Sequence, residues 1–450
     1  MWWRSPWLRQ RILWMGLATF DVVAVCGSYN LVYWFHFQSL PGVSGSVAAL
    51  ACLWIASSYL LGRYSQHYRP NNRWQMALST AVVCLLLALT AAALNWGAEI
   101  QDPRTLPRFA LPTALIAAGA SSLVQSRVHQ RQERPEHWAL IGSDTELTVA
   151  EAEHRLEAGR TSLQLTLLSS AGAEDHLPAL AQADLAGIAI GERARLSERA
   201  LEQLLAMRGQ GLQVISLVNW SEQLLQRVPP ELFTSHWLAQ AEGFELQPER
   251  LGWRLKRLGD LVVAVALLLA TAPLIAIAAV LIKFEDGGPI FFSQVRTGIY
   301  GQPFRIRKLR SMRSDAERHG ARWASHSDPR VTRIGHWLRK LRIDELPQLL
   351  NVINGDMSLI GPRPERPEFE QDLETQIPHY RIRHWIRPGL SGWAQVCHPY
   401  GASVADSRSK LSYDLYYLRN FSLPLDFLIL LKTIQLVSRG AGSQPNKTAH

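Results

Sequence analysis

Apolar positions run in long blocks through the first 130 residues and break into short alternations after them. Four blocks approach or exceed the ~20 residues that a bilayer crossing takes. They predict membrane helices at Ile12 to Phe37, Val43 to Leu61, Met76 to Leu94 and, more briefly, Phe109 to Val124. A cleaved signal peptide does not suit the first, which is too long and has three similar stretches behind it. From His137 the period changes: "WALIG", a helical "ELTVAEAEHRLEA", then "LQLTLLS", "LAGIAIG", a helical "LSERALEQLLAMRG" and "LQVISLV". This alternation predicts a small α/β unit with a parallel sheet. A further apolar block, Leu261 to Ile282, has 22 residues without a charge and carries Pro273 near its centre.

Charge orients these elements. Arg4, Arg9 and Arg11 precede the first span, Arg63, Arg69 and Arg73 follow the second, and Arg127, Arg131 and Arg134 follow the fourth. The other loops hold only Arg104 and Arg108, so the positive-inside rule puts the N-terminus and everything after Val124 in the cytoplasm. Asp21, inside the first span, is expected to make a helix-to-helix hydrogen bond, as no charged partner stands in the other spans. Cys26, Cys52 and Cys84 fall in spans and Cys397 is alone, a usage that offers no disulfide framework or metal spacing.

The block at 261–282 could cross the membrane, yet its flanks argue otherwise. Lys256 and Arg257 precede it, Lys283 follows, and from Arg254 to Glu345 there are 17 Lys and Arg against 8 Asp and Glu. That excess of nine equals the net charge of the whole chain and is a heavy load to export. Pro273 removes a backbone donor mid-segment, so we expect a broken, re-entrant helix hairpin that enters one leaflet and returns.

The α/β unit lacks a dinucleotide fingerprint. Gly142 is followed by Ser143, Asp144 and Thr145, which leaves out two of the three glycines that bring backbone to a pyrophosphate. A degenerate fold used in regulation or assembly is the expectation.

Basic clusters with aromatics follow at 305–315, 327–342, 361–369 and 380–396. No helix-turn-helix, finger or nucleic-acid-binding ribbon accompanies them, so nucleic acid is not expected; anionic lipid headgroups and phosphorylated small molecules are. Among the clusters, "LRIDELPQLLNVINGD" sets Asp344 beside Glu345. Leu346, Leu349, Leu350 and Ile353 recur at helical spacing and Pro347 suits a first turn, which places Asp344 at or near an N-cap. Capping alone would contribute about 1 kcal/mol. The same place suits chemistry: a carboxylate beside free N–H groups and cations can attack phosphorus, while its neighbour holds Mg²⁺ together with substrate phosphates.

"KLRSM", "DPRVTRIG", "LRIDELPQLLNVINGDMSLIGPRPERPEF" and "IRPGLSGWAQV", in this order after a basic-flanked apolar hairpin, resemble the catalytic domain of the bacterial monotopic phosphoglycosyl transferases. The motif match spans roughly residues 251–440. The spans and α/β unit resemble the large form of these enzymes by architecture only. The resemblance implies a membrane protein of mixed class: four transmembrane helices (1–130), a cytoplasmic, degenerate Rossmann-like α/β domain (131–245), and an α-rich phosphoglycosyl transferase catalytic domain with a re-entrant helix at 261–282 (246–440). It further implies transfer of a sugar 1-phosphate from a UDP-sugar to undecaprenyl phosphate with release of UMP, as the first membrane step of exopolysaccharide, capsule or O-antigen synthesis. The place would be the cytoplasmic face of the bacterial inner membrane.

On this chain Asp344 would be the nucleophile and Glu345 the Mg²⁺ ligand. Lys308, Arg310, Arg342, Arg363, Arg383 and Arg387 would be anion-binding candidates. Gly361, Pro362 and Pro364 would shape a turn presenting Arg363. Arg318, Arg322, Arg339 and Lys340 read as solvated or headgroup-facing, and His336 and His384 as surface or packing residues. Leu309 stands where the motif commonly has Phe, "GLSG" replaces "GITG", and Cys397 takes a position often held by Asn. The bundle and the α/β unit offer homodimer surfaces. The competing readings are a catalytically silent scaffold for polysaccharide assembly and an NAD-linked sugar-modifying enzyme, against which the missing glycines weigh.

Overall fold

The computed structural model describes residues 6–40, 42, 45–60, 63–64, 107–132, 136–156, 163–244, 251–316, 318, 328–398 and 403–438. The third expected span, Met76 to Leu94, lies outside them. The chain forms two compact units: 7–138 with 156–165, and 139–155 with the residues from 166 onward.

The first unit holds helices α1 (Pro6–Phe37), α2 (Gly45–Leu60) and α3 (Pro107–Gln132) at three of the expected spans. Trp54, Val25, Ala51, Ala114, Ala117 and Ala118 pack together, the alanines allowing close approach of the helices. Outward faces stay apolar, with Ile12, Met15, Val23, Phe35 and Leu115 exposed. Asp21 is buried and accepts hydrogen bonds from Trp54 Nε1 at 3.2 Å and the Tyr64 hydroxyl at 2.5 Å. Its partners are neutral donors from the second helix and the turn after it, as expected. By length and composition α1 can cross a membrane, as can the long helix of the second unit.

A four-stranded sheet, most of it in the second unit, has the order β2-β1-β3-β4: β1 (Glu136–Gly142), β2 (Leu163–Ser169), β3 (Gly187–Ile190) and β4 (Gln213–Ser216). β3 and β4 run parallel, with Gly187 opposite Gln213 and Ile190 opposite Ser216. The helices are α4 (Asp144–Leu156), α5 (Ala173–Leu180) and α6 (Glu198–Gly209); Ser197 caps the last through Ala200 N. Helix α5 is an addition to the sequence reading: its eight residues include Pro178 and are too short to show a period. The apolar pair Leu217–Val218, expected to extend the last strand, instead begins a helical turn, because the Ser216 hydroxyl caps it at Asn219 N.

A 36-residue helix, α7 (Leu251–Asp286), follows. In place of two helices joined as a hairpin, the helix is continuous with Pro273 inside it. Both its ends pack on the same body of structure. Lys256 pairs with Asp426 at 2.7 Å, Asp260 accepts from the Ser358 hydroxyl at 2.7 Å, and Ala278 and Ile282 meet Leu309 and Leu338. Between them Val262, Val265, Leu269, Leu274 and Ile277 are exposed. That body contains the antiparallel hairpin β5 (Phe291–Thr297) and β6 (Pro303–Leu309), helices α8 (Arg333–Lys340) and α9 (Leu349–Asn354), and the short parallel pair β7 (Ser358–Ile360) and β8 (Gly389–Ser391). Helices α10 (Pro367–Gln376), α11 (Val404–Arg419) and α12 (Leu423–Ser438) complete it. The α/β part is joined to α11 by charge: Arg227 pairs with Glu153 and lies over the Tyr413 ring, and Arg408 pairs with Glu231.

Candidate active site

Asp344 and Glu345 are both buried, at 8% exposure each. They do not stand at an α-helix N-cap. Arg342 adopts a left-handed conformation (φ 57°), and residues Ile343–Gln348 form a 3₁₀ turn that carries both acids and Pro347 before α9 starts. The periodic leucines pointed to one helix, but a proline lacks the N–H that a regular helix would use there, and the tighter turn takes its place.

Three cations converge on Glu345. Arg363 Nη2 donates to Oε1 at 2.6 Å, Lys308 Nζ to the same oxygen at 3.1 Å, and Arg342 Nη1 to Oε2 at 3.3 Å. None of these contacts goes to Asp344. Burial raises both carboxyls, but at Glu345 the charges of Arg363, Lys308 and Arg342 overcome it and hold the group well below the usual carboxylate range. At Asp344 burial, with the neighbouring Glu345 charge added, wins over Lys308, Arg339 and Arg342, and the carboxyl is pushed up. The pair therefore divides into a fixed anion and a more basic acid, and the three hydrogen bonds go to the anion. Burial lowers Lys308, with the Glu345 charge opposing it.

Each cation arrives on its own element. Lys308 sits on β6 opposite Phe292, and the Asn351 side chain ties that strand to α9 by accepting from Arg307 N at 3.1 Å and donating to Arg305 O at 2.8 Å. Arg363 lies on the Gly361–Glu365 turn. This turn is seated on the β8 side by Gly361 N to Ser391 O at 2.9 Å and Gly389 N to Pro362 O at 2.8 Å. Gly361 must lack a side chain: a Cβ there would stand 2.4 Å from Arg387 O.

The other candidates are placed elsewhere. Arg310 is buried against Asp286 at the end of α7, over Gly288. Arg387 donates from Nε to Gly355 O at 2.9 Å, closing the left-handed end of α9. Arg383 lies behind Arg363 and bonds to its carbonyl. Arg339, read as a solvated residue, is half-buried and its charge acts on Asp344; its place five residues ahead of the acid, in the last turn of α8, was the available signal. His336 is exposed and His384 buried. Leu309 packs on α7, and Cys397 lies 3.9 Å from Lys432 Nζ.

A Mg²⁺ ion fits this donor set in a limited way. Magnesium is held by one or two carboxylates together with phosphate oxygens and water. Glu345 Oε2, with its single long contact to Arg342, and the Asp344 carboxylate are hard oxygen ligands of that kind. Among the described residues no group of three acids, histidines or cysteines forms a protein cage.

In the α/β part the backbone donors that follow β1 and β3 are met by the chain's own carboxylate. Glu146, 1% exposed, accepts from Ser143 N at 3.0 Å, Ser143 Oγ at 2.9 Å and Arg193 N at 2.9 Å. A Cβ on Gly191 would stand 2.4 Å from its Oε2. The capping-box spacing Ser143-x-x-Glu146 was the sequence signal for it.

Residues 251–440, which contain every group just described around Glu345, match the family described as bacterial sugar transferase. The exopolysaccharide production protein PSS of Rhizobium leguminosarum is 39% identical over 195 residues, 42% of this chain and 98% of that protein. The chain belongs to the bacterial sugar transferase family. Within the family it is also similar to the UDP-N-acetylgalactosamine-undecaprenyl-phosphate N-acetylgalactosaminephosphotransferase of Aeromonas hydrophila, 51% identical over 42% of this chain and 45% of that one. The UDP-glucose:undecaprenyl-phosphate glucose-1-phosphate transferase of Caulobacter vibrioides is 44% identical over 40% of this chain and 68% of that protein. The match thus spans less than half of the Aeromonas sugar transferase, and the family match in this chain begins with α7.

Proposed function

We propose that this sugar transferase moves a sugar 1-phosphate from a nucleoside diphosphate sugar, a UDP-hexose or UDP-N-acetylhexosamine, to undecaprenyl phosphate. The observation that carries the reading is the unequal acid pair, with Glu345 bound by Arg363, Lys308 and Arg342 and Asp344 beside it left to react. The names of the Aeromonas and Caulobacter relatives supply the substrate class.

In the first half-reaction an Asp344 oxygen attacks the phosphorus that bears the sugar. The bond from that phosphorus to the bridging oxygen breaks, UMP leaves with the electron pair, and an aspartyl-phosphosugar remains. In the second, an oxygen of undecaprenyl phosphate attacks the same phosphorus and the Asp344 carboxylate is released. Lys308, Arg342 and Arg363 neutralise the diphosphate and hold it in line, which is most of what a protein does for phosphoryl transfer. Glu345 would hold Mg²⁺, which would supply positive charge to the leaving phosphate.

The membrane arrangement belongs to the same reading: four spans, the C-terminal part on the cytoplasmic face of the inner membrane, and α7 entering one leaflet and returning. Thr271 Oγ1 bonds back to Leu267 O at 2.7 Å two residues before Pro273, and such a bond with a proline is how a helix bends. Both ends of α7 contact one body while its middle stays apolar and exposed. A homodimer through the N-terminal helices or the α/β part would suit an enzyme serving an assembly line at the membrane.

The test is release of UMP by the purified full chain with Mg²⁺, undecaprenyl phosphate and a panel of UDP-sugars. Lipid-dependent UMP release from one or more of them is expected, lost on adding EDTA and restored by Mg²⁺. Silence across the panel would leave the scaffold reading in its place. For topology, a C-terminal cysteine tag should be shielded from an impermeant reagent applied outside intact cells; labelling there would mean that α7 crosses.

A further inference from the structure

Arg363 can hold an anion only as firmly as its backbone is held. The Gly361–Glu365 turn has no regular strand or helix of its own, and its outer part is fastened by two arginines. On one flank Arg296 Nη1 donates to Pro364 O at 3.3 Å and Thr297 N to Glu365 O at 3.1 Å. On the other, Arg383 Nη2 donates to Arg363 O at 2.9 Å. The same Nη2 reaches Asp414 Oδ2 at 3.0 Å, and Nη1 donates to the Tyr380 hydroxyl at 2.6 Å. The Arg383 and Asp414 side chains are 4% and 3% exposed, so this charge pair is cut off from water.

A buried ion pair is costly to desolvate and is often replaceable by apolar packing without loss of stability. The geometry here offers a reason for keeping one. A planar guanidinium can bond a carboxylate, a hydroxyl and a carbonyl in one plane, which an ammonium on a flexible stem does not reproduce. With Asp414 fixed on α11, Arg383 has one orientation, and in it a donor meets the carbonyl of the residue that grips Glu345 from the front. We infer that Asp414 and Arg383 are positioning residues for Arg363, setting how tightly it holds the donor diphosphate. This inference rests on the transfer reading for the role of Arg363.

A double-mutant cycle separates positioning from mere support of the fold, since residues acting through one another do not add. UDP affinity is measured by calorimetry on the detergent-solubilised full chain with Mg²⁺, for the wild type, Asp414→Asn, Arg363→Lys and the double variant. Asp414→Asn is expected to weaken UDP about tenfold alone, and by less than about twofold once Arg363 is already Lys. An equal loss in both backgrounds, or an unchanged affinity in Asp414→Asn, overturns the inference. Should Asp414→Asn fail to fold, Tyr380→Phe deletes one bond to Arg383 and runs the same cycle with a smaller factor. A wild type that binds UDP without releasing UMP removes the transfer reading and leaves the cycle to judge the positioning; one that binds no UDP overturns both.

Discussion

Arg363 and Glu345, 18 residues apart in sequence, meet at 2.6 Å and share the oxygen that Lys308 also reaches. A carboxylate so engaged is a poor nucleophile, because three neighbouring cations already draw on its charge. In the proposed transfer its neighbour in the same 3₁₀ turn is the reactive group, and the assignments of the two acids should be separable by experiment.

Asp344→Asn is nearly isosteric and removes the attacking oxygen's charge. UMP release should fall by at least about a thousandfold, as for other covalent nucleophiles, with the melting temperature unchanged or raised because burial disfavours the Asp344 charge. A radiolabelled sugar 1-phosphate should stay on the wild-type protein after acid quench in the absence of lipid and be missing from the variant. Turnover surviving in Asp344→Asn would move the nucleophile elsewhere.

Glu345→Gln should behave differently. It leaves Lys308, Arg342 and Arg363 crowded around a neutral group, and, with these side chains partly open to solvent, stability should drop by about 1–3 kcal/mol. Activity should fall as well, and the Mg²⁺ concentration giving half-maximal rate should rise. An unchanged Mg²⁺ dependence would speak against Glu345 as a ligand.

Gly361→Ala tests the turn without touching a charge. The new Cβ would meet Arg387 O at 2.4 Å, a backbone atom that cannot swing away. The turn must shift, and the half-maximal UDP-sugar concentration should rise about tenfold or more, as small misplacements of binding groups do. A variant with wild-type kinetics would show that the turn tolerates movement.

His384 carries a pH signature. Burial, with the Arg383 and Arg381 charges, pushes its imidazole down to about 3. The unfolded chain takes the proton near 6.5, so the His384 contribution to stability is full above that pH and is lost as the pH falls from 6.5 toward 3. Asp414, pushed up to about 6 by burial, has the opposite sign over part of this range, so the informative quantity is a difference. Between pH 7 and 5 the wild type should lose up to about 2 kcal/mol relative to His384→Gln. Thermal unfolding of both proteins across that range checks it; parallel curves would mean that His384 titrates normally.

Much of this architecture was open to reading because long apolar runs and strict alternation leave few alternatives. Three of the four expected spans are helices and the strand order follows a parallel α/β pattern. The site was legible as a set of residues and less so as an arrangement. Lys308, Arg342 and Arg363 could be named from their motifs, yet nothing local told them from Arg310, Arg383 and Arg387, whose partners Asp286, Asp414 and Gly355 are brought by tertiary packing. The acid pair was placed at a helix cap because hydrophobic period does not distinguish an α turn from a 3₁₀ turn of six residues. Helix α5 was missed for the same shortage of length.

The Glu146 carboxylate has a thermodynamic consequence for the α/β part. A fold whose sheet end waits for a nucleotide gains stability only as that nucleotide is supplied, by the logarithm of its concentration. Here the anion is tethered four residues from Gly142 and buried among its donors, so it is always present. The anion that these donors meet is therefore set by folding itself and not by the concentration of a ligand.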